Sequence, residues 1–152
     1  MIGSFVLNIK TKNMKRTANA HWKGTLQEGQ GEISTASTVL SNTRYSFKTR
    51  FADGVGTNPE ELLAAAHAGC FTMAVSATLG QHGFSANDLT TNAVLDLDMQ
   101  TLSVTGIHLE LKASLIDGVD EATFKQIAEG AKEHCIISKA LKVPITLDVT
   151  YA

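Results

Sequence analysis

The chain has 152 residues, of which 43% are apolar and 18% charged; Lys plus Arg number 13, Asp plus Glu 15, and the formal net charge is -2. A chain of this size builds a core without disulfide or metal staples, and its composition excludes collagen-like, low-complexity and disordered classes. No basic excess points to nucleic acid or to an anionic membrane.

The two cysteines, Cys70 and Cys135, are too few for a secreted disulfide framework, and neither belongs to a CxxC pair. Residues 2–9 are apolar but interrupted by Gly3, Ser4 and Asn8, and the basic residues Lys10, Lys12, Lys15 and Arg16 follow them. That order is the reverse of a secretory signal, and no uninterrupted apolar run is long enough to span a bilayer. The expectation is therefore a cytoplasmic protein. Met14 offers an alternative start that would leave residues 1–13 outside, and the expected division is an N-terminal extension over 1–14 and one domain over 15–152.

Residues 15–23 read as extended, and a polar connection bounded by Gly24 and Gly31 follows. Residues 32–40 and 45–51 read as two further strands, the latter alternating Tyr45, Phe47, Thr49 and Phe51 at period two. Asp53, Gly54 and Gly56 punctuate the chain before a helix start. There Asn58 is a plausible N-cap, Pro59 suits the first helical position, and Glu60 and Glu61 complement the helix N-terminus. The helix runs to about residue 81, rich in Ala and apolar nearly all round, with Gly80 and Gly83 at its end. A helix without a polar face is normally buried on every side, and dimerisation is one way to supply the cover.

Residues 88–100 and 102–115 read as strands, with Val94, Leu97 and Met99 apolar in the first and Ile107, Leu109, Leu111 and Ala113 in the second. A helix over residues 120–134 carries Phe124, Ile127, Ala128 and Ala131 on one face; a short helix spans 136–141 and a strand closes the chain over 143–150. Strands, helix, strands, helix, strand makes an α+β fold with segregated elements.

Three readings of the cysteines stand at this point. Both can be small buried hydrophobes. His67 and Cys70, three apart on one helical face, can join His134 and Cys135 in a metal set, although adjacent residues on a helix diverge by about 100°. The third reading is a redox pair, in which one thiolate reacts and a second thiol resolves its oxidised product. His21, His82 and His108 show no ligand spacing.

The run from Gly56 through Asn58-Pro59-Glu60-Glu61 to Ala66-His67-Ala68-Gly69-Cys70-Phe71 resembles the OsmC/Ohr family of thiol peroxidases. So do Ala20-His21-Trp22-Lys23-Gly24, Thr49-Arg50-Phe51 and the closing Leu141-Lys142-Val143-Pro144-Ile145-Thr146-Leu147. The likeness covers about residues 15–151, and the Ala-His-Ala spelling looks more like the OsmC branch than the Ohr branch. It implies that Cys70 is the peroxidatic thiol, Cys135 the resolving thiol, Arg50 the stabiliser of the thiolate and Glu60 the carboxylate that holds Arg50. It also implies an OsmC-like fold of antiparallel sheets around long central helices, an intertwined homodimer, no cofactor, and reduction by dithiols such as lipoylated proteins. One departure is visible: Ile136 follows Cys135 where the family often has Pro.

An apolar surround from Leu62, Phe71 and Met73 would suit an alkyl hydroperoxide better than hydrogen peroxide, while His67 reads as dimer packing or as a tuner of Cys70. The alternatives are a non-enzymatic binding or stress-associated module of the same fold, or a Cys/His metal-binding protein. Glu60 and Cys70 lie ten positions apart on one helix, about 15 Å along its axis at 1.5 Å per residue. If Arg50 bonds both, two antiparallel helices of a two-fold dimer are needed to supply them.

Overall fold

The computed structural model describes Asn13–Ala152, so the apolar stretch at residues 2–9 and nearly all of the expected extension lie outside the described residues. The chain divides into two compact units, one ending at Thr57 and the other spanning Asn58–Ala152.

In the first unit, β1 (Ala18–Lys23), β2 (Gln30–Thr35) and β3 (Thr43–Tyr45) form an antiparallel sheet in that order. Gly31 of β2 pairs with Trp22 on one side and Tyr45 on the other, and the two rings meet at a centroid distance of 5.4 Å. A side chain at Gly31 would strike both rings, so the glycine permits the aromatic contact. β2 ends five residues short of the expected strand, because Thr35 and Leu40 close a turn by N–H donation from Thr35 to the Leu40 carbonyl at 2.9 Å.

The strand expected over residues 45–51 is corrected. Of these residues only Tyr45 belongs to a strand; Ser46 is an extended N-cap, and Phe47–Phe51 is a helix, α1. Ser46 and Thr49 form a capping box: Thr49 N–H donates to Ser46 Oγ at 3.2 Å, and Ser46 N–H donates to Thr49 Oγ1 at 2.8 Å. Phe47 and Phe51, which fit period two, are also four apart, and their rings pack at 4.9 Å across one helical turn.

The second unit begins with α2 (Pro59–Gln81), whose start follows the sequence signals: Asn58 Oδ1 accepts from Glu61 N–H at 2.8 Å, and Pro59 opens the helix. β4 (Leu89–Asp98) pairs antiparallel with β5 (Ser103–Ala113), and Ile107, Leu109, Leu111 and Ala113 of β5 alternate into the core. In β4 the inward set is Leu89, Ala93 and Leu95, whereas Val94 falls on the opposite, exposed face and Met99 lies exposed just past the strand; the pairing with β5 shifts register between Asp96 and Leu97.

α3 (Glu121–His134) and α4 (Ile136–Ala140) then carry the chain to β6 (Ile145–Tyr151). β6 pairs parallel to β5, so this sheet is mixed rather than antiparallel. A helical crossover between neighbouring strands returns the chain in the same direction, which a tight hairpin cannot do.

α2 packs Phe71, Val75 and Leu79 against β5 and against Phe124, Ile127, Ala128 and Ala131 of α3. The sequence implied burial on every side of α2, but within this chain only the stripe His67, Phe71, Val75 and Leu79 is buried. By length and composition α2 could also cross a bilayer; its i, i+4 stripe is instead part of the core. Phe124 is fully buried and stacks on Tyr151 with centroids 4.4 Å apart. Phe124→Ala is expected to lower the unfolding free energy by about 3–5 kcal/mol, measured by urea denaturation; a loss below about 1 kcal/mol would place the core elsewhere.

Candidate functional site

The last turn of α3 stops at Cys135, whose backbone leaves helical geometry at φ -59° and ψ 128°. Cys135 N–H still donates to the Ala131 carbonyl at 2.9 Å, and the Cys135 carbonyl accepts from Lys139 N–H at 3.0 Å as α4 begins. Cys135 is thus both the last cap of one helix and the first cap of the next. The break forms with Ile136 in place of proline. Ile136 occupies the first helical position, where an N–H has no partner inside the helix, so proline's missing donor brings no advantage in bonding there.

This break sets Cys135 against α2. Its sulfur lies 3.1 Å from Cys70 Sγ, although 65 positions separate them in sequence. Both thiols are free, and the gap is about 1 Å longer than a disulfide bond. Cys135 is 1% exposed, whereas Cys70 is only half-buried. The sulfurs meet as a redox pair would require, and Cys135 also packs within the hydrophobic core, as the first reading of the cysteines expects.

The two sulfurs titrate as a pair. Burial pushes the Cys70 thiol up, and the neighbouring Cys135 adds to this; amides of Ile137 and Ile136 oppose it. Burial also resists charge on Cys135. There the Ser138 amide, the bond with Cys70, the Ser138 hydroxyl and the Ile137 amide outweigh burial and hold the thiol below its ordinary range. These amides act on the sulfur without a full side-chain capping bond. Either thiol can donate across the 3.1 Å gap; when charge sits on Cys135, Cys70 is the donor.

His67 lies one turn before Cys70 on α2 and is fully buried. Its Nε2 is 2.8 Å from Ser138 Oγ on α4, tying the two helices together beside the sulfurs. Its Nδ1 is buried without a hydrogen-bond partner. Sequence reasoning missed Ser138; its only signal was its place three residues after Cys135, in the first turn of a short helix.

His134 turns away to the exposed Gly130 carbonyl, its Nδ1 at 2.7 Å. The four-residue metal set therefore does not assemble, and among the described residues no three His, Cys, Asp or Glu side chains gather as metal ligands. Phe71 is wholly buried in the core against which Cys70 packs, and Met73 is 75% exposed. Arg50 lies on α1 rather than a strand, its guanidinium carbon 5.1 Å from the Phe51 ring centre. Glu60 is in the first turn of α2, the continuous helix that also bears Cys70.

Residues 52–150 match the family model for OsmC-like protein, a span that includes Glu60, Cys70, Ser138 and Cys135. The chain belongs to the OsmC family. Peroxiredoxin OsmC of Escherichia coli (strain K12) is 42% identical to this OsmC-family chain over 134 residues, covering 88% of it and 94% of the relative. The organic hydroperoxide resistance protein of Xanthomonas axonopodis pv. citri is 30% identical over 102 residues, covering 66% of the chain and 70% of the relative. Among solved structures, an OsmC-like protein from Vibrio cholerae superposes with a TM-score of 0.71 at 16% identity, covering 91% of this chain and 100% of its own. OhrB of Bacillus subtilis superposes at 0.62 with 24% identity, covering 88% and 98%. The last two likenesses establish a shared fold.

Burial holds the His67 pKa below its ordinary 6.5. Below that value the unfolded chain takes up a proton that the folded chain refuses, so this histidine removes stability as pH falls. Urea unfolding from neutral pH to about pH 5 is expected to show an acid-side loss that flattens in His67→Gln. Parallel pH profiles for the two proteins would contradict this.

Proposed function

We propose that this chain is a thiol-dependent peroxidase that reduces organic hydroperoxides, and hydrogen peroxide less well. The observation that carries the reading is the 3.1 Å approach of a half-buried thiol and a buried one from separate helices. The attacking sulfur must meet a substrate from outside; the resolving sulfur needs only to meet its neighbour. Cys70 fits the first role and Cys135 the second. The names of the relatives, peroxiredoxin OsmC and organic hydroperoxide resistance protein, support the same class of substrate.

The Cys70 thiolate attacks the outer peroxide oxygen, the O–O bond breaks, and the alkoxide leaves as an alcohol after taking a proton. Cys70 is now a sulfenic acid. Cys135 attacks its sulfur, an S–S bond forms, the S–O bond breaks and water leaves. An external dithiol, for which a lipoylated protein is the expected donor, reopens the disulfide by exchange. The transient disulfide suits the reducing cytoplasm.

Because burial and Cys135 both resist charge on Cys70, the first step calls for added positive field. Arg50 supplies it in this reading and stabilises the departing oxygen, while Glu60 fixes the guanidinium in a bidentate pair. Glu60 and Cys70 are about 15 Å apart along α2, so one Arg50 serves both only if two copies of the helix pack antiparallel in a homodimer. The exposed α2 residues Ala66, Gly69, Met73 and Ala77 are mostly small and suit such close packing.

With dihydrolipoamide as reductant, Cys70→Ser is expected to lower hydroperoxide consumption to the uncatalysed rate, and Arg50→Met by about 100-fold, with the oligomer retained. Full turnover by Cys70→Ser would overturn the enzyme reading.

A further inference from the structure

The pair His67 and Ser138 has no part in the chemistry above, yet it lies beside both sulfurs. His67 is wholly buried, and among the described residues its one side-chain hydrogen bond is the 2.8 Å bond to Ser138 Oγ. Its other ring nitrogen, Nδ1, is buried and unpartnered. These facts select a tautomer. A proton on Nδ1 would leave a buried N–H without an acceptor, which folded proteins avoid more strongly than an unused acceptor. The proton therefore sits on Nε2 and is donated to Ser138 Oγ. Burial, which keeps the ring neutral, agrees with this.

With its oxygen occupied as acceptor, the Ser138 hydroxyl has its own proton free to give. Ser138 occupies the third position of α4, and Cys135 is the residue that caps that helix. A side chain at the third position reaches back toward the cap residue, as in a capping box. The Cys135 side chain stands at that end of the helix, and the Ser138 hydroxyl is among the groups that favour charge on its sulfur. The remaining groups acting on that sulfur are Cys70 and the amides of Ser138 and Ile137; His67 is the other titratable side chain of the cluster.

We propose that the chain His67 Nε2–H, Ser138 Oγ–H, Cys135 Sγ prepares the resolving thiolate for attack on the Cys70 sulfenic acid. The inference rests on the peroxidase reading. In this proposal Ser138 is the group that donates to the reacting sulfur, and His67 is a positioning residue that acts through Ser138. In this step Cys135 gives up its thiol proton, and its sulfur forms the S–S bond as the Cys70 S–O bond breaks. The hydroxide expelled takes up one proton and leaves as water, so thiol and sulfenic acid become disulfide and water with no further oxidant. Ser138 holds the negative charge on sulfur until the bond forms, and a neutral His67 keeps the hydroxyl aimed.

Two measurements test this. In Cys70→Ser protein, the ultraviolet absorbance of the remaining thiolate is titrated against pH. Adding Ser138→Ala is expected to raise the midpoint by about one pH unit or more, and Ser138→Thr to restore it. An unchanged midpoint would overturn the proposal whether or not the protein is a peroxidase. With both cysteines present, quenched-flow mass spectrometry after mixing with cumene hydroperoxide follows the Cys70 sulfenic acid and the disulfide. Ser138→Ala is expected to slow disulfide formation about tenfold more than sulfenic acid formation. Equal effects on the two steps would overturn the proposal. Absence of a sulfenic acid in wild type would instead overturn the peroxidase reading, leaving the absorbance titration to decide the role of Ser138.

Discussion

The sulfur contact between α2 and the α3–α4 break is the constraint on which the site depends. A sulfur on a long helix has a fixed height and direction, so its partner must be delivered by another element. Cys135 is delivered because α3 ends there and α4 starts anew, turning the chain without moving Cys135 away from α2. The hydrophobic packing of Phe71, Val75 and Leu79 against α3 fixes the two helices face to face. The His67–Ser138 bond fixes α4 to α2 on the far side of the break. Core burial and one buried polar bond thus hold the two sulfurs within reach.

The same environment sets the chemistry of the thiols. Burial disfavours two negative charges in so small a volume, so the pair releases one proton well before the other. The local groups of α4 favour charge on Cys135, the deeper sulfur. In the proposed cycle this suits the second step, where Cys135 is the nucleophile. The first step needs the charge on Cys70, and favouring it there is the role proposed for Arg50. Two steps that need opposite placements of one charge are then served by two different sets of groups.

Local signals were the legible ones. Asn58, Pro59 and the following glutamates announce the start of α2 because capping involves residues within one turn of each other. Period-two alternation from Ile107 to Ala113 identifies β5 for a similar reason: each side chain faces the core by simple geometry. Phe47 and Phe51 misled because residues four apart fit a strand and a helix equally well, and the Ser46–Thr49 capping box decides between them. The parallel placement of β6, the exposed face of Val94 and the meeting of Cys70 with Cys135 all depend on tertiary packing. Ser138 carried no signal of its own; its meaning comes from His67, 71 positions away. The family likeness pointed to the two cysteines, and the fold brings their sulfurs within 3.1 Å.

The central claim is that the two thiols act as one unit toward a hydroperoxide. The most direct measurement is a titration of fully reduced protein with an alkyl hydroperoxide, counting free thiols and alcohol formed, with no reductant present. The expected result is one alcohol produced for each Cys70 and Cys135 pair lost to an intrachain disulfide. Loss of peroxide with the thiol count unchanged, or disulfides formed only between chains, would contradict it.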